Sequence, residues 1–251
     1  MTYCVGMLTE GGLVLITDTR TNAGIDNISV YKKLHTLTES KDRLIMLASA
    51  GSLSVTQSLL SLLEEGLPAD DPADPPRTMA NVPTMFRAAQ LVGEALGIAR
   101  SSLAHVLNGS SIDSSVSLLL GGRVGDGPLK LYLIYNEGNF IECEADSPFL
   151  QIGELKYGKP MLDRTLQWDT TLDEVVKVGL ISFDSTMRSN LSVGRPLDVI
   201  VIPTDPKAKV VEVRIGPEDA YFNTLSDDWG RMLTEARNAI ADPPFLPEYT
   251  K

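Results

Sequence analysis

The first thirty-three residues constrain this chain more than any other stretch. Thr2 stands directly behind Met1. Two short apolar segments follow, residues 3–8 and 13–17, separated by the tight-turn signal Glu10-Gly11-Gly12, so the pair reads as a β-hairpin. The second segment ends in Thr17-Asp18-Thr19-Arg20, and after a loop the chain reads Tyr31-Lys32-Lys33-Leu34. This arrangement sets a hydroxyl next to the chain end, a carboxylate at a strand terminus and a lysine beyond it.

A threonine at a mature N-terminus holds both halves of a nucleophile system. Its Oγ can attack a carbonyl, and its own α-amine, with an unperturbed pKa of about 8, can take the proton. A nearby lysine lowers the pKa of both groups by like-charge repulsion and stabilises the alkoxide, and a carboxylate fixes that lysine. Taken singly, each residue has an ordinary account. Asp18 is then a turn residue ending a strand, and Lys33 a solvated surface lysine. The spacing of the three at the very start of the sequence is what favours the nucleophile.

These residues resemble the catalytic start of proteasome β-type subunits, a family of N-terminal nucleophile (Ntn) hydrolases. Thr2 and Asp18 keep that family's sixteen-residue separation, Arg20 follows in the Asp-x-Arg context, and Lys32-Lys33-Leu34 matches its lysine segment. The loop before Lys33 is one residue shorter. The opening Met-Thr-Tyr-Cys-Val-Gly and the length of 251 residues resemble more narrowly the bacterial ancestral-β-subunit (Anbu) branch. The related heat-shock peptidase that forms rings with an unfoldase is considerably shorter.

Composition bounds the alternatives. Hydrophobic residues make up 43% and charged residues 22%, as in an ordinary globular protein. The net charge of −11 argues against a nucleic-acid footprint and against an anionic membrane surface. No run approaches eighteen apolar residues, and no basic region precedes an apolar one, so neither a span nor a signal peptide is expected. Cys4 and Cys143 both lie in apolar strand-like segments, which suits buried free thiols and a cytoplasmic setting.

In order along the chain, residues 35–37 and 43–48 read as strands. Ser52 reads as the N-cap of a mostly buried helix reaching about Glu65. Residues 66–83, with Asp70, Asp71, Asp74 and five prolines, read as an exposed acidic loop without metal-ligand spacing. Residues 84–107 have helical periodicity. Strands are expected at 115–120, 129–135, 140–143 and 149–152, with Gly121-Gly122 and Asn136-Glu137-Gly138 as turns between them. Helices follow at 160–166 and 171–188, the latter opening on Thr170-Thr171-Leu172-Asp173-Glu174. Strands at 199–203 and 210–214 and a helix at 217–240 complete the reading. Met7, Met46, Met85 and Met161 read as core filling.

Strands followed by helices, twice over, is an α+β pattern of antiparallel sheets with segregated helices. The resemblance implies the four-layer αββα sandwich of Ntn hydrolases over residues 1–251 as a single domain, with a C-terminal helical extension from about 219. It also implies site roles. Thr2 is the nucleophile, Asp18 and Lys33 support it, Gly51 in Ala48-Ser49-Ala50-Gly51 donates an oxyanion N–H, and Ser192 assists. The pocket is lined near Thr21, Tyr31, Ser49 and Leu53. The supporting shell departs from the family at two places. Gly153-Glu154-Leu155 stands where the family has Gly-Ser-Gly, and Ser189 stands where it has aspartate. Glu154 reads equally as a surface carboxylate or a catalytic group.

His35 and His105 lack metal-ligand spacing, and no glycine-rich phosphate loop occurs, so no cofactor or metal is expected. The function implied is a self-compartmentalising threonine amidohydrolase acting on a peptide or amide. Its partner is further copies of itself, in a closed ring or a helical stack, with any unfoldase or delivery partner left open. A non-catalytic or weakly active ring or scaffold subunit, and an amidase acting on a non-protein amide, are the alternatives.

Overall fold

The hairpin forms where its pattern sets it: β1 (Tyr3–Thr9) and β2 (Gly12–Asp18) pair antiparallel, Cys4 opposite Thr17 and Thr9 opposite Gly12. Every residue of both strands is buried, because the pair lies inside a sheet covered on both faces. The structure is a computed structural model and describes residues 2–22, 28–69, 71–106 and 114–245. The chain continues through β3 (Arg20–Asn22), β4 (Ile28–Val30), β5 (Leu34–Ser40) and β6 (Arg43–Gly51) to helices α1 (Leu53–Glu65) and α2 (Met85–Val106). Next come β7 (Val116–Val124), β8 (Lys130–Ile134), β9 (Phe140–Glu142) and β10 (Phe149–Gly153). Then follow α3 (Lys159–Thr165), α4 (Leu172–Ser189), β11 (Leu197–Pro203), β12 (Val211–Ile215) and α5 (Ala220–Ala239).

Two five-stranded antiparallel sheets carry the architecture, in the orders β10-β1-β2-β11-β12 and β5-β6-β7-β8-β9. Period-two alternation sends Cys4 and Leu8 of β1, and Leu13 and Leu15 of β2, into one apolar layer with Leu34, Met46, Ala48, Leu119 and Leu131 of the other sheet. Glycine lets these sheets close. A Cβ on Gly6 would lie 2.8 Å from Leu131 Cδ1, and one on Gly121 2.7 Å from Leu13 Cδ2. The far face of the second sheet is covered by α1 and α2, through Val55, Leu59, Ala88 and Val92 against Ile45, Leu47, Leu118 and Leu120. On the far face of the first sheet, the Phe183 ring of α4 lies 4.5 Å from that of Tyr3. A Cβ on Gly179 of α4 would meet Ile16 Cδ1 at 2.6 Å. The result is the expected four-layer αββα sandwich.

Several local expectations are corrected. Gly121 and Gly122 lie inside β7 rather than in a turn, and Gly122, at φ +145°, opposes Ile45. Residues 20–22 and 28–30 form the short β3–β4 hairpin where a loop was expected, with 23–27 outside the described residues. The stretch 66–83 is exposed at most of its described residues, as expected, but it is also tied down. Leu67 bridges Arg77, Arg77 forms a two-pronged pair with Glu94 of α2, and Leu67, Met79 and Val82 are buried. Asp70, and the side chain of His105, lie outside the described residues. Helix α1 is amphipathic rather than mostly buried: Leu59 and Leu63 are inside, Leu60 and Leu62 only half so. Met161 is half-buried, unlike Met7, Met46 and Met85. Ser52 and Thr171 occupy the N-cap positions, but their hydroxyls meet Ser54 and Glu174 instead of the helix backbone.

The chain divides into two compact units, Met1–Pro217 and Glu218–Lys251. The sandwich belongs to the first. In the second, Asp219 caps α5 by accepting from the Phe222 N–H at 2.8 Å. Among the described residues no helix is long and apolar enough to cross a membrane.

Candidate active site

Where β2 runs out of the sheet, Asp18 Oδ1 accepts from the Tyr3 N–H at 3.1 Å and from Lys33 Nζ at 2.8 Å. Lys33 Nζ also donates to the Arg20 carbonyl at 2.6 Å. Both side chains are buried. Burial pushes the Asp18 carboxyl above its ordinary range, opposed by the Lys33 charge and by the Tyr3 and Arg20 backbone N–H groups. The Lys33 carbonyl accepts from the Ser49 N–H at 3.0 Å, which ties residues 31–33 to β6. Lys32 does not share that pair: its side chain is half-exposed and its Nζ lies 3.7 Å from Glu212. The shortened loop therefore delivers Lys33, not Lys32, to Asp18.

Thr2 stands one residue before β1. Its carbonyl accepts from the Glu154 N–H at 2.7 Å. Gly153, at φ +84°, makes that approach feasible, since a Cβ there would lie 2.0 Å from the Thr2 oxygen. Behind it the Tyr3 hydroxyl lies 2.6 Å from Ser182 Oγ and accepts from Gln151 Nε2 at 2.6 Å. Burial pushes that phenol up to about 12, so it stays protonated and anchors the chain start.

Thr2 and Lys33 line one cavity of about 350 Å3. Gly51, the last residue of β6, lines it too. Its φ of +110° and a Cβ position 2.1 Å from the Ser115 carbonyl admit only glycine. The four expected pocket residues, Thr21, Tyr31, Ser49 and Leu53, stand on the same wall, with Lys32, Ala50, Thr56 and Gly153. Asp18 lies behind Lys33. Ser192 is not among the lining residues; it follows α4, where its N–H donates to Asn190 Oδ1 at 3.0 Å.

One contact was not legible in the sequence. Glu154 is buried, and its Oε2 accepts from Asn190 Nδ2 at 3.0 Å while its Oε1 accepts from the Lys156 N–H at 3.1 Å. Together with the Asn190–Ser192 bond, this joins the end of β10 to the loop after α4. Arg20 adds a third tie, donating to the Leu191 carbonyl at 2.8 Å. Glu154 is thus neither a surface carboxylate nor a lining group of the cavity. A larger cavity, about 610 Å3, lies at the turn end of the β1–β2 hairpin, lined by Thr9, Glu10, Arg123 and Trp168. Among the described residues no lysine lines it. Among the described residues no His, Cys, Asp and Glu group suited to a metal ion is found.

No family model matches the chain, and no curated protein matches it. Solved structures do. Anbu (ancestral beta-subunit) from Yersinia bercovieri is 40% identical, with a TM-score of 0.87 over 98% of this chain and 100% of that one. Anbu from Hyphomicrobium sp. strain MC1 is 43% identical, with a TM-score of 0.85 over 96% and 99%. A structure described as the helical assembly of the Anbu complex from Pseudomonas aeruginosa is 40% identical, with a TM-score of 0.85 over 97% and 98%. With that identity running through nearly the whole of each chain, and the same sandwich around the Thr2 cavity, this chain belongs to the proteasome-like Anbu family.

Proposed function

We propose that this chain is an N-terminal threonine amidohydrolase, acting on peptides, whose nucleophile is Thr2 once Met1 is removed. The observation that carries the reading is the Lys33 ammonium, held by Asp18 Oδ1 and the Arg20 carbonyl at the wall of the cavity that Thr2 lines. In this reading the α-amine accepts the proton of Thr2 Oγ as the oxygen bonds to the substrate carbonyl carbon. Lys33 stabilises the developing alkoxide, and the Gly51 N–H donates to the oxyanion. The C–N bond then breaks, the leaving amine takes the proton from the α-ammonium, and water hydrolyses the resulting ester. Ser192 acts at a distance, through the loop that Glu154 and Asn190 hold.

Self-assembly belongs to the same proposal. Support comes from the helical assembly described for the Pseudomonas aeruginosa relative. Helix α5 offers a surface for it, with Met232 and Leu233 each 49% exposed.

The test is labelling by a peptide epoxyketone, which needs both a hydroxyl and an adjacent amine. Wild-type protein is expected to be modified at Thr2 and Thr2→Ala not at all. Equal labelling of the two proteins rejects the mechanism.

A further inference from the structure

The chain carries 33 acidic against 22 basic residues, yet among the described residues the Thr2 cavity is lined by two lysines and by no aspartate or glutamate. The two lysines are not equivalent. The Lys33 charge is committed to Asp18 at 2.8 Å, both groups buried. Among the described residues Lys32 is paired only with Glu212, at 3.7 Å, with side chains 50% and 55% exposed. A pair so exposed contributes little, and a ligand carboxylate can take Glu212's place at small cost. Thr21, Tyr31 and Ser49, each with a hydroxyl donor, line the same cavity as Lys32. Leu53 and Ala50 provide a short aliphatic wall.

Resting on the reading of Thr2 as the nucleophile, we propose that this cavity selects substrates with a carboxylate beside the attacked amide carbonyl, and that Lys32 is the residue that recognises it. Two substrate chemistries present such a group. One is an α-linked peptide with glutamate or aspartate before the scissile bond. The other is a γ-glutamyl amide, whose free α-carboxylate occupies a similar place. A neutral side chain forgoes the cation, and a lysine side chain meets like charge.

Binding separates this proposal from the chemistry of Thr2. Fluorescent peptides with Glu, Leu or Lys before the scissile bond, and a fluorescent γ-glutamyl amide, are titrated against wild type, Thr2→Ala and Lys32→Glu by anisotropy. A carboxylate-bearing probe is expected to bind roughly tenfold or more tighter than the Lys peptide, in wild type and Thr2→Ala alike. Lys32→Glu, a change at an exposed side chain, is expected to reverse the order. Whichever carboxylate probe binds tighter assigns the source. Equal affinities, a preference for Leu or Lys, an order unmoved by Lys32→Glu, or no saturable binding of any probe overturns the proposal. A retained carboxylate preference with no epoxyketone labelling of wild type instead overturns the nucleophile reading and leaves recognition standing.

Discussion

Two adjacent lysines with opposite fates fix the chemistry of the site. Lys33 is buried on Asp18, whereas Lys32 is in solvent beside Glu212. Lys33→Ala is expected to slow epoxyketone labelling at least about 100-fold, because it removes the charge that activates Thr2. Lys33→Arg is expected to fail as well, since a planar guanidinium does not fit where an ammonium meets one carboxylate oxygen and one carbonyl. Labelling that survives both changes assigns the activation elsewhere. Asp18 gives a prediction in pH. Its folded pKa lies above the unfolded value, so the native state binds the extra proton between the two values. The stability it contributes is therefore full below the unfolded pKa and is lost as pH rises through the folded one. Labelling, which needs the ionised carboxylate, moves oppositely. Acidification toward pH 4 should slow labelling while the stability of wild type relative to Asp18→Asn grows, as read by urea denaturation. A difference that shrinks on acidification contradicts the assigned direction. Thr2, Asp18 and Lys33 were legible because all three fall within the first thirty-three residues. The Glu154–Asn190 bond was not, because its partners are 36 residues apart and only the packing of α4 brings them together.

The first strand is also the anchor of the site. Tyr3 fills the space beneath Phe183, and its hydroxyl engages Ser182 and Gln151, so the residue after the nucleophile is fixed to α4 and β10. Tyr3→Phe leaves the buried Ser182 hydroxyl and the half-buried Gln151 amide without it, and a loss of about 1–3 kcal/mol is expected by denaturant unfolding. A neutral result would mean that water or rearrangement satisfies them. Gly153→Ala sets a Cβ against the Thr2 carbonyl and should abolish labelling while the protein remains folded by circular dichroism. Unchanged labelling would remove Gly153 from the positioning of Thr2. At this scale the sequence misleads where glycine has two uses. Gly121 and Gly122 read as a turn, yet they sit mid-strand because neighbouring side chains and backbone leave no room for a Cβ. The loop at 66–83 reads as exposed from its prolines and aspartates. Its buried Leu67, Met79 and Val82 are spaced too irregularly to give a periodic signal.

As a whole molecule, the chain presents a sandwich whose order of strands and helices could be read from alternation and turn signals. The number of copies that assemble could not, since heterologous contacts close into a ring or propagate according to one rotation angle. Light scattering at micromolar concentration is expected to give a mass many times the 27.2 kDa of one chain. A monodisperse particle at the single-chain mass contradicts assembly. Whether Thr2 is an activated N-terminal nucleophile is decided by the intact mass of the purified protein before and after treatment with a peptide epoxyketone. The predicted result is a chain lighter by Met1 that gains one inhibitor, mapped to Thr2. A chain that keeps Met1 throughout and gains nothing contradicts it, because the threonine then lacks the amine that activates it.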